Sequence, residues 1–142
     1  MKRNELVVSG IIASATGISF ENKGLSLGYW GNADNYAQIN SHTYICLEVE
    51  KEQKHPITNV VKYWPYLEQT DKAKMILLHT FFPDSPGLNS SRGKLAEYFA
   101  MKMEKLFGNR FKYFRLIIKI DGNKVIGIRK LRLHLKKWQR KV

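Results

Sequence analysis

The chain has 142 residues and a formal net charge of +12, with 24 Lys and Arg against 12 Asp and Glu. This length fits one domain with a buried core, and a hydrophobic share of 44% argues against a disordered chain. The charge favours a polyanionic partner, nucleic acid before an anionic membrane surface, although a basic protein without any specific anion has the same composition.

The N-terminal residues 6–15 fit two interpretations. Their β-branched residues suit a strand, whereas a helix would place Leu6, Gly10 and Ala13 on one small-residue face. The preceding Met-Lys-Arg gives a faint likeness to a secretory signal, but Glu5 and the interrupted apolar run favour a structural element. No apolar run is long enough for a membrane span, and the single cysteine suits a reducing compartment, so we expect a cytoplasmic protein.

The next elements are strands. Residues 18–20 and 25–30 are predicted to form the arms of a hairpin, because residues 21–24 (Glu-Asn-Lys-Gly) have turn chemistry. After a break at Gly31-Asn32, residues 35–39 are predicted to be a strand that leads from Asp34.

Residues 44–51 read Tyr-Ile-Cys-Leu-Glu-Val-Glu-Lys and alternate with the period of a strand. One face of that strand is apolar and carries Ile45, Leu47 and Val49. The other face carries Cys46, interpreted as a small buried apolar residue, and then Glu48 and Glu50. Two carboxylates on one face repel each other, and a hard divalent cation would remove that repulsion. A strand end that emerges into water, with both glutamates solvated, accounts for the same residues.

Residues 56–67 repeat apolar side chains at helical spacing, with Pro56 at a first helical position. Pro65 is expected to kink or end this helix. Residues 74–82 form a continuous apolar run typical of a buried central strand. His79 lies inside this run and is interpreted as a buried neutral histidine bonded to a backbone group.

A loop at residues 83–87 is followed by a helix that Ser90 or Ser91 could cap and that Gly108 ends. Its predicted apolar stripe consists of Leu95, Phe99, Met103 and Leu106. Residues 111–120 and 125–128 are predicted as paired strands around a tight turn at residues 121–123.

The tail, residues 129–142, has seven Lys or Arg and no acid. Alternating leucines suit a strand and the wider apolar spacing suits a helix equally well; we expect a helix after a short strand. Its basic residues are the candidate contacts to nucleic acid: Arg129, Lys130, Arg132, Lys136, Lys137, Arg140 and Lys141. The three tryptophans, Trp30, Trp64 and Trp138, are interpreted as core residues, although Trp138 could also stack on bases. His42 and His55 lack the spacing of a zinc site.

The centre of the chain resembles the PD-(D/E)xK nuclease superfamily, which has the restriction-endonuclease-like fold. The resemblance rests on an acid before one strand, Glu-x-Glu on the next strand, and a following helix with Asn-x-x-Lys-Tyr. The resemblance covers roughly residues 5–120 and is motif-like at its centre. Asp34 matches the first metal-binding acid, with Ala33 in place of the usual proline, and Glu48 matches the second. Glu50 stands where the family usually has lysine, as an acid does in some restriction endonucleases.

The resemblance implies a single α/β domain over residues 1–142, with a mixed central sheet flanked by helices and a basic C-terminal segment at residues 129–142. It implies Mg²⁺ or Mn²⁺ at Asp34 and Glu48, and DNA phosphodiester hydrolysis by a site that also includes Glu50. The missing positive group is assigned to Lys62, since Lys51 should point to the opposite face of the strand. A helix before the first core strand is also implied, with Glu5 as its acid, although Glu5 is more simply explained as a solvated glutamate in the first helical turn.

Two other functions remain open at this point. The chain could be a non-catalytic basic nucleic-acid-binding module, in which Glu48 and Glu50 are structural. It could also be a structural or assembly protein of a virus or mobile element. Within the nuclease interpretation, the chain is either the enzyme itself or a subunit with that fold. DNA is favoured over RNA as the partner, although the sequence does not decide between them, and a homodimer is compatible with it.

Overall fold

A five-stranded mixed sheet forms the centre of the computed structural model, which describes residues 3–52 and 56–140 without the side chains of residues 138–140. The helices are α1 (Arg3–Thr16), α2 (Thr58–Val61), α3 (Tyr63–Gln69), α4 (Ser91–Phe107) and α5 (Ile128–Arg140). The strands are β1 (Leu25–Ser26), β2 (Asn32–Ala33), β3 (Asn35–Gln38), β4 (Thr43–Glu50), β5 (Lys74–Phe81), β6 (Phe111–Lys119) and β7 (Lys124–Ile126).

The main sheet has the order β3-β4-β5-β6-β7. Its three inner strands, β4, β5 and β6, are parallel, and each edge strand is antiparallel to its neighbour. Parallel neighbours need crossover connections, which the helices between β4, β5 and β6 provide. The predicted α/β class with a mixed, helix-flanked sheet is therefore confirmed, and the five main strands follow the predicted segments closely.

Helices cover both faces of this sheet. On one face α1 and α5 pack through Val8, Ile12 and Leu131 against the odd-numbered residues of β4. On the other face α2, α3 and α4 pack through Val60, Tyr63, Leu67, Ala96 and Ala100. Residues 6–15 are thus helical, and the tail is a helix that follows a short strand, as expected.

The predicted hairpin of residues 18–20 and 25–30 is wrong. Strand β1 pairs with β2 instead, and residues 28–30 form a 3-10 turn between them. The reversal is possible there because Gly28 and Gly31 adopt positive φ angles of 67° and 113°. The end of the earlier arm lies beside β3, where the Glu21 N–H donates to the Tyr36 carbonyl at 2.7 Å.

The predicted helix of residues 56–67 is two short helices joined at Lys62. Pro65 has no N–H for the carbonyl of Val61, and its ring crowds that carbonyl, so α2 ends at Val61. Pro65 itself lies in the first turn of α3, where no intrahelical donor is needed. The predicted break is confirmed, but it falls before the proline, and the helix begins at Thr58 and not at Pro56.

Helix α4 begins and ends as predicted, but it buries a different face. The Ser90 hydroxyl caps it by accepting from the Gly93 N–H at 3.2 Å, and Gly108 follows its last residue with φ of 59°. Its buried residues are Gly93, Ala96, Ala100 and Met103. The predicted stripe is wrong at Leu95 and Leu106, which are 48% and 57% exposed, whereas Phe99 is half-buried and Met103 is buried. Small residues let this helix lie close to the sheet, a pattern that a search for large apolar side chains does not detect.

None of the helices within the described residues combines the length and the apolar character that crossing a lipid bilayer requires.

Candidate active site

Glu48 and Glu50 lie on the same face of β4, the face that α2 and α3 cover. Both side chains are completely buried, as is Cys46 two residues earlier. The interpretation of two solvated glutamates at an emerging strand end is therefore wrong. Two acids in the interior require compensating groups, and the neighbouring elements provide them.

Glu48 has a partner on each carboxylate oxygen. The Lys62 ammonium lies 2.9 Å from Oε1, and the Tyr63 hydroxyl donates to Oε2 at 2.5 Å. Burial raises the pKa of Glu48 to about 8, and the charge of Asp34 adds to this, although Lys62 and Tyr63 act in the opposite direction. A carboxyl with a pKa this high changes its charge state near neutral pH.

Glu50 is bound through one oxygen only. Its Oε1 accepts from the Asn59 side-chain amide at 2.5 Å and lies 3.1 Å from His79 Nε2. Its Oε2 is buried and has no hydrogen-bond partner among the described residues. Such an atom is costly in a protein interior, so it marks a place where a further polar group or ion would be stabilised.

His79 joins Glu50 to a tyrosine on β6. Its Nδ1 lies 2.7 Å from the Tyr113 hydroxyl, and burial lowers the pKa of the imidazole and so favours the neutral form. In the neutral tautomer that satisfies both contacts, Nε2–H donates to Glu50 and Nδ1 accepts from Tyr113. The expected bond from His79 to a backbone group is therefore wrong, because both ring nitrogens contact side chains.

Asp34 immediately precedes β3, and its side chain lies beside the end of β4. Its Oδ2 accepts the Val49 N–H at 2.8 Å. Burial is the main cause that raises the pKa of Asp34, and the charges of Glu5 and Glu50 raise it further, against the Val49 N–H and Lys62. Glu5 is on α1, and its role in the site stays a prediction.

Lys62 reaches back to the strand as predicted. Besides Glu48, its ammonium donates to the Asn32 carbonyl at 2.6 Å and to Asn59 Oδ1 at 3.1 Å. Lys51 is on the opposite side of β4, with its ammonium 5.4 Å from the centre of the Phe82 ring. The structure therefore brings Asp34, Glu48, Glu50 and Lys62 together and separates Lys51 from them; their catalytic roles stay predictions.

Two hydroxyls hold the backbone of this strand end. Thr80 Oγ1 donates to the Glu48 carbonyl at 2.8 Å, and Ser85 Oγ donates to the Glu50 carbonyl at 2.6 Å. Both hydroxyl side chains are buried. Hydrogen bonds to their main-chain carbonyls therefore help to fix the positions of the two glutamates, in addition to the contacts of their carboxylates.

Contributors that were not assigned to the site from sequence are Asn59, Tyr63, His79, Thr80, Ser85 and Tyr113. The parallel register places His79 opposite Glu48 and Arg115 opposite His79, and this register is not readable from either strand alone. One signal was available, since His79 is a polar residue inside an apolar run and has to find polar partners.

The donor chemistry of this site suits a hard divalent cation, which prefers carboxylate oxygens. The free buried Oε2 of Glu50 and the raised pKa of both Asp34 and Glu48 fit such a group, because a cation would stabilise the ionised carboxylates. In the part of the chain that the structure describes, no three His, Cys, Asp or Glu side chains are already grouped to hold a metal. Because Lys62 and Tyr63 already occupy both oxygens of Glu48, Lys62 would have to release Glu48 when a metal binds.

The basic residues of the tail lie away from these carboxylates. Arg129, Lys130, Arg132, Lys136 and Lys137 are exposed on α5, which packs on the other face of the sheet. Arg132 is partly engaged, since its Nε donates to the Ala15 carbonyl at 2.9 Å. The Arg140 side chain, Lys141, His55 and the Trp138 side chain lie outside what the structure describes.

The other two tryptophans differ from each other. Trp64 is partly buried in the core beside α4, at 6.5 Å from the Phe107 ring. Trp30 is 40% exposed, so its interpretation as a core residue is wrong.

Comparison of the chain with protein-family models, with curated proteins and with solved structures finds no match. Function is therefore inferred from the side chains of the site.

Proposed function

We propose that this chain is a divalent-metal-dependent nuclease of restriction-endonuclease-like fold that hydrolyses phosphodiester bonds in DNA. The observation that carries the proposal is the buried acidic pair of Glu48 and Glu50 at the end of β4, with Lys62 bound to Glu48 and Asp34 bound to the Val49 N–H between them. An ordinary surface ion pair does not require two fully buried glutamates on one strand.

The order of the parts supports the same function. An acid precedes β3, the acidic pair ends β4, and the helix that follows supplies Asn59 and Lys62. This is the order on which the resemblance to the PD-(D/E)xK superfamily rests. Glu50 occupies the usual lysine position, and Lys62 places a positive charge at the neighbouring acid, which supports its assignment as the substitute.

Asp34 and Glu48 would hold Mg²⁺ or Mn²⁺, and the free oxygen of Glu50 would face the water beside the ion. When bound, such an ion lowers the pKa of water and offsets the charge that develops on the phosphate.

The chain's own residues have distinct parts in this mechanism. Oε2 of Glu50 has no partner among the described residues, so it is available to take the proton of the attacking water as the water oxygen bonds to phosphorus. The bond from phosphorus to the leaving oxygen breaks, and that oxygen takes a proton from solvent. Lys62, once it leaves Glu48, stabilises the negative charge on the phosphate oxygens. His79 is a positioning residue that fixes the orientation of Glu50, and Tyr113 fixes the tautomer of His79.

A cleavage assay tests this function. Purified protein is incubated with duplex and single-stranded DNA in Mg²⁺, in Mn²⁺ and in EDTA, and we expect cleavage only with metal. Asp34→Asn and Glu48→Gln should each lower the rate by about 100-fold or more, because each removes a charged oxygen ligand. Glu104→Gln is the matched control, since this acid lies on α4 and pairs with Lys112 at 3.3 Å, and a glutamine can still accept the hydrogen bond from the Tyr113 N–H.

Metal binding gives a readout separate from activity. Calorimetric titration of Mn²⁺ should show a site that the Asp34→Asn, Glu48→Gln double variant lacks and that Glu104→Gln keeps. Cleavage that persists in the double variant would mean a contaminant or a different site, and the assignment would be wrong.

A non-catalytic nucleic-acid-binding module is the second candidate. One observation favours it, because both oxygens of Glu48 are already satisfied by Lys62 and Tyr63. This function predicts no cleavage with any divalent metal and equal DNA binding by the wild type and by Glu48→Gln. The same assays therefore separate the two candidates.

A further inference from the structure

Two aromatic side chains project into solvent beside the candidate active site. Tyr29 is 97% exposed and Trp30 is 40% exposed. Their ring centres lie 6.0 Å apart with the planes inclined by 61°, so the rings meet edge to face and do not cover each other by stacking. Large aromatic surface left in water in this way favours a binding function over a structural one.

The turn that carries these rings is firmly held. Leu27 is completely buried, and its N–H donates to the Gly31 carbonyl at 2.8 Å. The Gly28 N–H donates to Ser26 Oγ at 3.1 Å, and Trp30 Nε1–H donates to Gln69 Oε1 on α3 at 3.3 Å. The exposed rings therefore sit on an anchored turn and lose little freedom when they bind a ligand.

The turn adjoins the candidate active site through a shared groove. This open groove of about 360 Å³ is lined by Trp30, Thr58, Asn59, Val61, Lys62 and Pro65. Asn59 and Lys62 line the groove and also contact Glu50 and Glu48. A ligand that lies in the groove against Trp30 thus comes next to the carboxylates.

A nucleobase is the ligand that this combination fits best. Flat aromatic faces stack on bases of any sequence, and a chain of net charge +12 attracts the phosphates that a base brings with it. Inside an uninterrupted duplex each base face is covered by its neighbours, so only an unpaired base can reach such a ring.

We propose that Tyr29 and Trp30 stack on an unpaired base, so that the chain prefers nucleic acid with a single-stranded segment at the carboxylates over uninterrupted duplex. This inference rests on the proposed nucleic-acid substrate and names its structural class.

A binding measurement in EDTA tests the preference without any cleavage. The probes are a single-stranded DNA oligonucleotide labelled with 2-aminopurine and the same sequence as a full duplex. Tyr29→Ala and Trp30→Ala should each weaken binding of the single strand by roughly 5- to 150-fold, the range that one lost base stack implies. Duplex affinity should change by less than about 2-fold, because duplex binding depends on phosphates.

Two controls separate stacking from general damage. Trp30→Phe keeps an aromatic face and should keep most of the single-strand affinity and the 2-aminopurine fluorescence change. Tyr98→Ala removes a tyrosine that is 49% exposed on α4 and should change neither affinity. Circular dichroism melting shows whether each variant is folded.

The opposing outcomes are distinct. Equal losses for single strand and duplex, or no loss for either, would refute the stacking role. Self-association that Tyr29→Ala abolishes would show that the rings contact a second copy of this chain, and would refute it as well. If no metal supports cleavage but the single-strand preference holds, the nuclease proposal fails and the stacking proposal stands. If metal-dependent cleavage is seen without the single-strand preference, the stacking proposal fails and the nuclease proposal stands.

Discussion

The carboxyl group of Glu48 is completely buried between the ammonium of Lys62 and the phenol of Tyr63. Its raised pKa means that the folded chain binds a proton there more tightly than the unfolded chain does. Stability from this group is complete below its ordinary value of 4.5 and is lost as the pH rises through about 8. The pKa of His79 is lowered, so its contribution to stability is complete above its ordinary pKa of 6.5 and is lost as the pH falls below that value.

The pH dependence of stability tests this residue directly. Between pH 6.5 and pH 8 the free energy of unfolding should fall by about 1–2 kcal/mol, because the folded state must give up its proton against the cost of burial. Glu48→Gln cannot titrate and should give a flatter profile in the same range. Urea denaturation at a series of pH values measures both, with Glu104→Gln as control; parallel profiles for wild type and Glu48→Gln would contradict the assignment.

Single residues of the site were predictable where a local rule applies. Strand alternation places Glu48 and Glu50 on one face, and the spacing to the next helix brings Lys62 within reach. The contacts of His79 were not predictable, because they depend on which strands become neighbours and in which register. The exposure of Trp30 was missed because residue type alone favours burial of tryptophan.

The position of helix α4 depends on the absence of a side chain at Gly93. A Cβ on Gly93 would lie 2.0 Å from the Gly87 carbonyl oxygen and 3.0 Å from that of Leu88. The Gly93 carbonyl also accepts from the Arg115 guanidinium at 2.8 Å. The start of α4 can therefore lie on the preceding loop only because no side chain is present.

Gly93→Ala should lower the free energy of unfolding by about 1–3 kcal/mol or more, because the backbone must shift to admit a methyl group. Gly10→Ala is the matched control in α1, where a Cβ meets nothing within 4 Å. That change should raise stability by about 0.5–1 kcal/mol through helix propensity. Urea denaturation of both variants checks the pair; a Gly93→Ala variant as stable as the wild type would refute the close packing.

At the level of elements, continuous apolar or alternating runs were predicted well, and irregular connections were not. Residues 74–82 are apolar enough to admit only an inner strand. Residues 17–34 have several turn-forming positions, and tertiary contacts decide among them. The small-residue face of α4 was missed since its buried members, glycine and alanine, carry little apolar signal.

Across the whole molecule, the basic residues of α5 and the carboxylates of the site lie on different faces of one sheet. Helix α5 is bound to its face through Leu131, which is completely buried. Deleting the tail after Lys130 would therefore remove part of the core together with the charges. Substitution of exposed lysines is the cleaner way to test the role of α5 in binding.

The double variant Lys136→Gln, Lys137→Gln should bind duplex DNA with a weaker salt dependence. If each lysine neutralises one phosphate, the slope of log affinity against log salt falls by about 1.8, at roughly 0.9 per phosphate. Lys102→Gln, Lys105→Gln on α4 is the charge-matched control and should leave the slope unchanged. Equal effects of the two pairs would mean that binding is diffuse and that α5 is not the contact surface.

The separation of α5 from the carboxylates has a mechanical consequence for the proposed function. Duplex DNA is stiff over about 150 base pairs, so a duplex held along α5 stays on that side of the sheet. A single strand bends within a few nucleotides and can pass round a sheet edge to the groove at Trp30. Nucleic acid with a junction between paired and unpaired segments would thus present its rigid part to one face and its flexible part to the other.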